Sequence, residues 1–494
     1  MTAFLLHHLL DRRAELTPDA PAVRRGEQTW TYRDLRTRSL ACAQWLRGRG
    51  VTRGDRVLLL APHALETTAL VHACSRLGAL HVVLSDRIRP YHLDHILGDS
   101  EPRLVLATDE AADRLSVDVP VHRLAELPAT PSEPLPAGDP CAGTDPVALI
   151  YTSGSTSMPK AVISTHAQVL FAVAAIQARL GYRPDDVVFC CLPLSFDYGQ
   201  YQMFLSCRAG ACLVVGDDGD AGPALLRRLS EHGTTVFPLV PSLASTLGRL
   251  VGRAGGPPQR LRMVTNTGAA LPVTASVRLR EAVPGLDVVA MFGLTECKRV
   301  SIAEPNADLT RPGSCGLPLP GTEAYAADED GHRLPAGEAG ELVVRGPNVM
   351  AGYWRAPELT ARRFRRDAFD QPVLHTGDRC RFDEDGHLYF IGRDDDIYKQ
   401  RGIRVSCLEI EAAALDVPGV ELAAVLPPDD SSGSRLAVAG DLLVPYLVEQ
   451  LGDRLEEQKL PSQVVVLDAL PLSVNGKVDK KGLAELLARR GGAR

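Results

Sequence analysis

Tyr151-Thr-Ser-Gly-Ser-Thr-Ser-Met-Pro-Lys160 sets five serine and threonine hydroxyls, one glycine and one lysine in a single short loop. Such a loop suits a phosphate group. Gly154 lets the backbone come close to an anion, the hydroxyls and main-chain N–H groups donate to its oxygens, and Lys160 supplies a compact positive charge. The run from Thr165 to Leu180 has helical spacing and is expected to aim its N-terminal end at the same anion. No Gly-x-x-x-x-Gly-Lys-Ser/Thr frame fits the stretch, so it is not a P-loop NTPase signature.

Outward from the loop, short β-branched or leucine-rich runs alternate with helical spacing. Arg56–Ala61 is followed by apolar positions Leu65, Ala69, Ala73 and Leu77, then by the runs 81–84 and 103–107. Similar runs recur at 235–240, 262–265 and 287–291, each followed by a turn rich in Gly, Pro, Ser or Thr. This is α/β layering, and ligands in such folds gather at the loops beyond the strand ends. The Pro-rich segment 127–146 reads as a surface crossing that delivers the chain to the phosphate loop. Past Glu341–Arg345 the strands become shorter and more polar, ending in Asp394-Asp-Asp396, where three consecutive carboxylates suit a solvated joint. The expected architecture is a large N-terminal domain of layered α/β subdomains, residues 1–393, with sheets packed by helices. A small mobile C-terminal α+β lid domain, residues 394–494, follows it.

Composition excludes several classes. The 494 residues carry a formal charge of −7, which argues against a nucleic-acid or anionic-membrane surface. No stretch approaches the roughly 18 unbroken apolar residues of a membrane span. The start lacks a basic leader, so the expectation is a cytoplasmic protein. Eleven cysteines without Cys-x-x-Cys pairs or metal-ligand spacing read as buried thiols in a reducing compartment.

The loop, together with Met291-Phe-Gly-Leu-Thr-Glu-Cys297, Thr265-Asn-Thr-Gly-Ala-Ala-Leu271, His375-Thr-Gly-Asp378, the run from Gly392 to Gly402 and Pro471-Leu-Ser-Val-Asn-Gly-Lys477, resembles the adenylate-forming superfamily. That family comprises acyl-CoA synthetases, luciferases and the adenylation domains of nonribosomal peptide synthetases. The usual glycines are replaced by Ser157 and Ala161. Of only seven lysines among 54 Lys plus Arg, three (Lys160, Lys399 and Lys477) fall in these segments.

The resemblance implies an ATP- and Mg2+-dependent, AMP-forming carboxylic acid ligase that releases pyrophosphate. It implies that Thr152, Ser153, Gly154, Ser155, Thr156 and Lys160 hold phosphate, and that Phe292 stacks on adenine beside Gly268, Ala269 and Ala270. Thr295 would bond the α-phosphate and Glu296 the magnesium. Asp378 would accept both ribose hydroxyls, Arg393 would touch ribose, and Asp395 would be the hinge. Lys477 would bridge the substrate carboxylate and the α-phosphate, and the run 399–405 would face a second reaction, thioester formation after the small domain rotates.

Phe196-Asp197 matches the pair whose aspartate, in amino-acid adenylation domains, binds the substrate ammonium. A buried aspartate needs a cationic or donor partner, and Lys298 and Arg299 are the competing candidates within the chain. The reading leans to an amino acid, with an acyl or aryl acid as the alternative. No carrier domain follows the lysine signature, so the acceptor thiol is expected on CoA or on a separate carrier protein. Capture of the adenylate by a non-thiol nucleophile and a non-enzymatic nucleotide-binding scaffold are the further alternatives.

Overall fold

The computed structural model describes residues 4–135, 141–152, 158–251, 258–268, 271, 273–393, 396–400, 403–429, 432–473 and 476–491. Among them the strands form five sheets. A six-stranded sheet runs in space through Val121–Arg123, Leu104–Ala107, Arg56–Leu60, Leu80–Val83, Pro146–Thr152 and Lys160–Thr165. The first five strands are parallel and the last turns back antiparallel. In a nine-stranded sheet, Val187–Cys190, Val236–Leu239, Met263–Asn266 and Asp287–Phe292 lie side by side in parallel. Cys212–Val215 and the hairpin Pro21–Arg25/Gln28–Thr31 continue it on the other side of Val187–Cys190.

Burial explains the apolar runs of the sequence. Leu80–Val83, Val187–Cys190 and Val236–Leu239 are buried at every position, as expected of parallel strands covered on both faces. Helices Leu65–Leu77 and Asp197–Ala209 bury nearly all their residues. One apolar cluster joins them to residues of both sheets, so they form the layer that the sheets share. Phe204 is 1% exposed in that layer, and cutting it to alanine would cost about 3–5 kcal/mol.

One sequence expectation fails here. Residues Lys160–Thr165 are a strand, paired in register with Pro146–Thr152. Thr165 caps the helix His166–Leu180, so that helix begins at the far end of the hairpin, about 16 Å of extended chain from Lys160. Its first N–H groups are satisfied locally: that of His166 by the Asp145 carbonyl (3.1 Å) and that of Ala167 by the Gly143 carbonyl (2.7 Å). The helix does not point at the phosphate loop.

A third, antiparallel sheet places Pro372–Phe382 beside Gly340–Arg345, Phe364–Arg366 and Leu388–Arg393. After Arg393 come the hairpin Ile397–Gln400/Ile403–Ser406 and a three-stranded sheet of Val420–Leu426, Arg435–Gly440 and Gln463–Leu467. Apolar clusters of their own hold these elements together. They meet the preceding body along the helix Pro241–Val251. There Arg249 Nη1 lies 2.5 Å from Glu421, and the hydroxyls of Ser245 and Ser242 donate to the carbonyls of Glu421 (3.4 Å) and Gly476 (3.2 Å). None of the eleven cysteines is in a disulfide, and nine are buried.

Candidate active site

The parallel strands of the nine-stranded sheet end on one side, and the site collects there. Past Asp287–Phe292 the chain turns tightly over residues 293–299, closed by the Val300 N–H to Phe292 carbonyl bond (2.9 Å). Gly293 permits this turn, because a Cβ there would run into the Lys298 carbonyl. The turn carries Thr295, half-buried, and Glu296. Tyr353 Oη donates to Glu296 Oε1 at 2.6 Å, and the Met350 N–H donates to the Glu296 carbonyl at 2.9 Å.

Lys160, paired across the hairpin with Thr152, puts its Nζ 5.8 Å from the centre of the Tyr353 ring. The two ends of the phosphate loop therefore open beside Glu296. Residues Ser153, Gly154, Ser155 and Thr156 lie outside the described residues, as do Ala269, Ala270 and the hinge candidate Asp395.

Asp378 and Arg393 face each other in the ladder of the third sheet. Arg393 Nε donates to Asp378 Oδ1 at 2.8 Å, and Asp378 is only 3% exposed. Burial pushes the Asp378 carboxyl above its ordinary range, Arg393 opposes this, and the charge of Glu296 adds to the rise. The same strand brings Phe390 against Phe292, with ring centres 4.7 Å apart and planes tilted by 34°.

Lys477 reaches this cleft from the C-terminal elements. Its Nζ lies 6.0 Å from the Phe196 ring centre, and its Cε would be 2.9 Å from a Cβ on Gly268. Protein surrounds the ammonium on most sides while the cleft leaves it open to water. Desolvation lowers its pKa, the positive charges of Arg393 and Arg299 lower it further, and Asp197 and Asp378 oppose them. Five charged side chains from distant parts of the chain thus share one cleft.

Asp197 opens the helix Asp197–Ala209 and is 6% exposed. Among the described residues no hydrogen bond or ion pair reaches its carboxylate, from Lys298 or Arg299 or any other group. Lys298 is 1% exposed, has a left-handed backbone (φ 64°), and lies with its Nζ 5.9 Å from the Tyr201 ring centre. Arg299 lies 4.9 Å from the Tyr198 ring centre and donates to the Lys298 carbonyl at 2.6 Å. Lys298 Nζ, Tyr201 Oη and Arg299 Nε find no hydrogen-bond partner among the described residues. Burial brings the Lys298 ammonium down to about 8, with the charges of Asp197 and Glu296 opposing. A buried ammonium without a partner is costly, and an orphaned donor cluster of this kind fits an incoming anion.

The sequence reading did not single out Tyr353, Phe390 or Tyr201. Tyr353 stands after Gly352, whose φ of 111° marks an unusual backbone, and that Gly-Tyr-Trp run was the available signal.

The AMP-binding enzyme family model matches residues 10–354. The nonribosomal peptide synthetase CymA of Salinispora arenicola (strain CNS-205) is 33% identical over 97% of this chain, which spans 6% of that protein's length. VinN, solved with L-aspartate, is 42% identical and superposes with a TM-score of 0.72, covering 78% of this chain and 98% of VinN. The O-succinylbenzoate Coenzyme A synthetase of Bacillus subtilis, solved with ATP and a magnesium ion, is 26% identical with a TM-score of 0.84, covering 96% of this chain and 99% of that one. The chain belongs to the AMP-binding enzyme family and is an adenylate-forming enzyme. Among the described residues no helix is long and apolar enough to cross a membrane.

Proposed function

We propose that this AMP-binding enzyme adenylates an amino acid that carries a second carboxylate, and then passes the acyl group to a thiol. One observation carries the substrate class: among the described residues the buried Lys298 ammonium has no hydrogen-bond partner and the Asp197 carboxylate no ion pair, and the charge of Asp197 acts on both Lys298 and Lys477. The carboxylate suits a substrate ammonium, and Lys298 with Arg299 suits a substrate carboxylate. The likeness to VinN, solved with L-aspartate, supports the same class.

In this reading Phe292, backed by Phe390, stacks on the adenine, and Asp378 accepts from the ribose hydroxyls with the oxygen that Arg393 leaves open. Thr152 and Lys160 hold the outer phosphates and Thr295 the α-phosphate. The solved relative with ATP and magnesium supports both cofactors. A single hard carboxylate, Glu296, beside a phosphate-binding lysine suits an ion that keeps mostly water and phosphate oxygens as ligands. Magnesium held there by Glu296 would supply charge neutralisation for the phosphates.

The substrate carboxylate oxygen attacks the α-phosphorus, and the bond to the bridging oxygen breaks, so pyrophosphate leaves with the electron pair. Both reactants are anions, so the step depends on cations fixed before it begins. Lys477 spans the two. A thiolate then attacks the acyl carbonyl and AMP leaves with its oxygen. The division at 393/394, with a hinge at Asp395 that withdraws Lys477, belongs to this second step. Relatives named as a CoA synthetase and as a peptide synthetase support the two forms of acceptor, CoA and a carrier-protein thiol.

The test is ATP–pyrophosphate exchange across a panel of aspartate-type amino acids, neutral amino acids and aryl acids. Exchange confined to the first group is expected; exchange with aryl acids alone would overturn the substrate assignment.

A further inference from the structure

We propose that Gly268 and Gly476 are positioning residues for the first half-reaction, one on each side of the seam, because together they leave the gap through which Lys477 enters the cleft. The inference rests on the adenylation reading above. Gly268 follows the strand Met263–Asn266 with φ 90°. A Cβ there would stand 2.9 Å from Lys477 Cε, 3.5 Å from its Nζ and 4.0 Å from Phe196 Cζ. Phe196 closes the slot from the other side, with Nζ 6.0 Å from its ring centre, the outer reach of a cation–π contact.

Gly476 precedes the lysine in a turn closed by the Gly476 N–H to Ser473 carbonyl bond (2.9 Å), with φ 71°. A Cβ on Gly476 would meet Val240 Cγ2 at 2.9 Å and Ser242 Oγ at 3.1 Å. The Gly476 carbonyl accepts from that same serine hydroxyl at 3.2 Å. Two missing side chains therefore fix how deeply the turn seats. Ordinary carbon contact needs about 3.5–4.0 Å, so a Cβ on Gly476 lifts the turn off Val240 and carries the lysine back by up to about 1 Å, and one on Gly268 displaces the end of the lysine side chain itself. The ammonium must lie within bonding reach of two anions, and a displacement of that size costs about 100-fold in rate.

The experiment compares wild type, Gly268→Ala and Gly476→Ala in three measurements. These are equilibrium ATP binding, ATP–pyrophosphate exchange with the acid that wild type exchanges best, and transfer from that acid's synthetic adenylate to pantetheine. Both variants are expected to lose about 100-fold in exchange, while in Gly476→Ala ATP binding and transfer to pantetheine stay within about threefold of wild type. Gly476→Ala leaves the nucleotide-lining loop untouched, so it separates seating from any effect of Gly268 on nucleotide binding. Equal loss of ATP binding, exchange and transfer in Gly476→Ala, or undiminished exchange in that variant, overturns the inference. A wild-type protein that exchanges with no acid overturns the functional reading and this inference with it.

Discussion

The phenol of Tyr353 donates a 2.6 Å hydrogen bond to Glu296, 57 residues away in the chain. The bond joins a turn of the nine-stranded sheet to a segment that pairs with the strand after the phosphate loop, since the Trp354 N–H donates to the Ala161 carbonyl at 2.9 Å. Tyr353 thus fixes where Glu296 stands relative to Lys160.

Tyr353→Phe removes that donor while keeping the ring. Partners that orient a metal-binding carboxylate typically account for about 10–100-fold in metal affinity or activity. Exchange titrated with Mg2+ should show a midpoint shifted to higher concentration by at least about tenfold; an unchanged midpoint would separate Glu296 from the metal.

Lys298→Met should act in opposite senses on function and stability. Exchange with an aspartate-type acid is expected to fall by about 10–100-fold, since a charge-assisted contact is worth about 1.5–3 kcal/mol. Thermal unfolding should move upward, because exchanging a buried, unpaired ammonium for an apolar chain of similar volume removes a desolvation penalty. A lower Tm would mean that the ammonium has a partner in the folded protein.

The pH dependence has a defined sign. The Lys298 ammonium loses its proton near pH 8, against 10.5 for an ordinary lysine. The charged form is the one that holds a substrate carboxylate, so kcat/KM for the acidic substrate should fall as pH rises through about 8. Folding stability moves the other way: between about 8 and 10.5 the unfolded chain binds the extra proton, and stability rises with pH over that window. Lys298→Arg keeps its charge and should flatten the kinetic limb; a limb that persists in this variant belongs to another group.

Asp378→Asn keeps the size of the side chain and one acceptor oxygen but removes the charge opposite Arg393. Loss of a charged acceptor for the ribose diol should raise KM for ATP by about 10–100-fold with a smaller effect on kcat. An unaltered KM for ATP would place the ribose elsewhere.

The layers and the turns that carry chemistry were legible because they are local. The runs at 235–240 and 287–291 occur as strands Val236–Leu239 and Asp287–Phe292, and apolar runs bounded by Gly and Pro signal such strands directly. The aim of the helix after the phosphate loop was misread, since nothing in the composition of Lys160–Thr165 shows that it must first cross the sheet. Tyr353 and Phe390 were invisible for a different reason: each acquires meaning only through pairing with a residue far along the chain. Lys298 could be suspected from its place after Glu296. Its burial, which makes it informative, depends on Tyr201 and the helix beneath it.

The hairpin Pro21–Arg25/Gln28–Thr31 has a consequence for anyone trimming this protein. It covers the open side of Cys212–Val215 through the register Val23↔Leu213 and Arg24↔Val214. A fragment starting beyond Thr31 would bare a row of unsatisfied backbone groups on an apolar strand, the kind of edge that recruits other chains. Such shortened versions should precipitate on expression even though every residue of the cleft is retained.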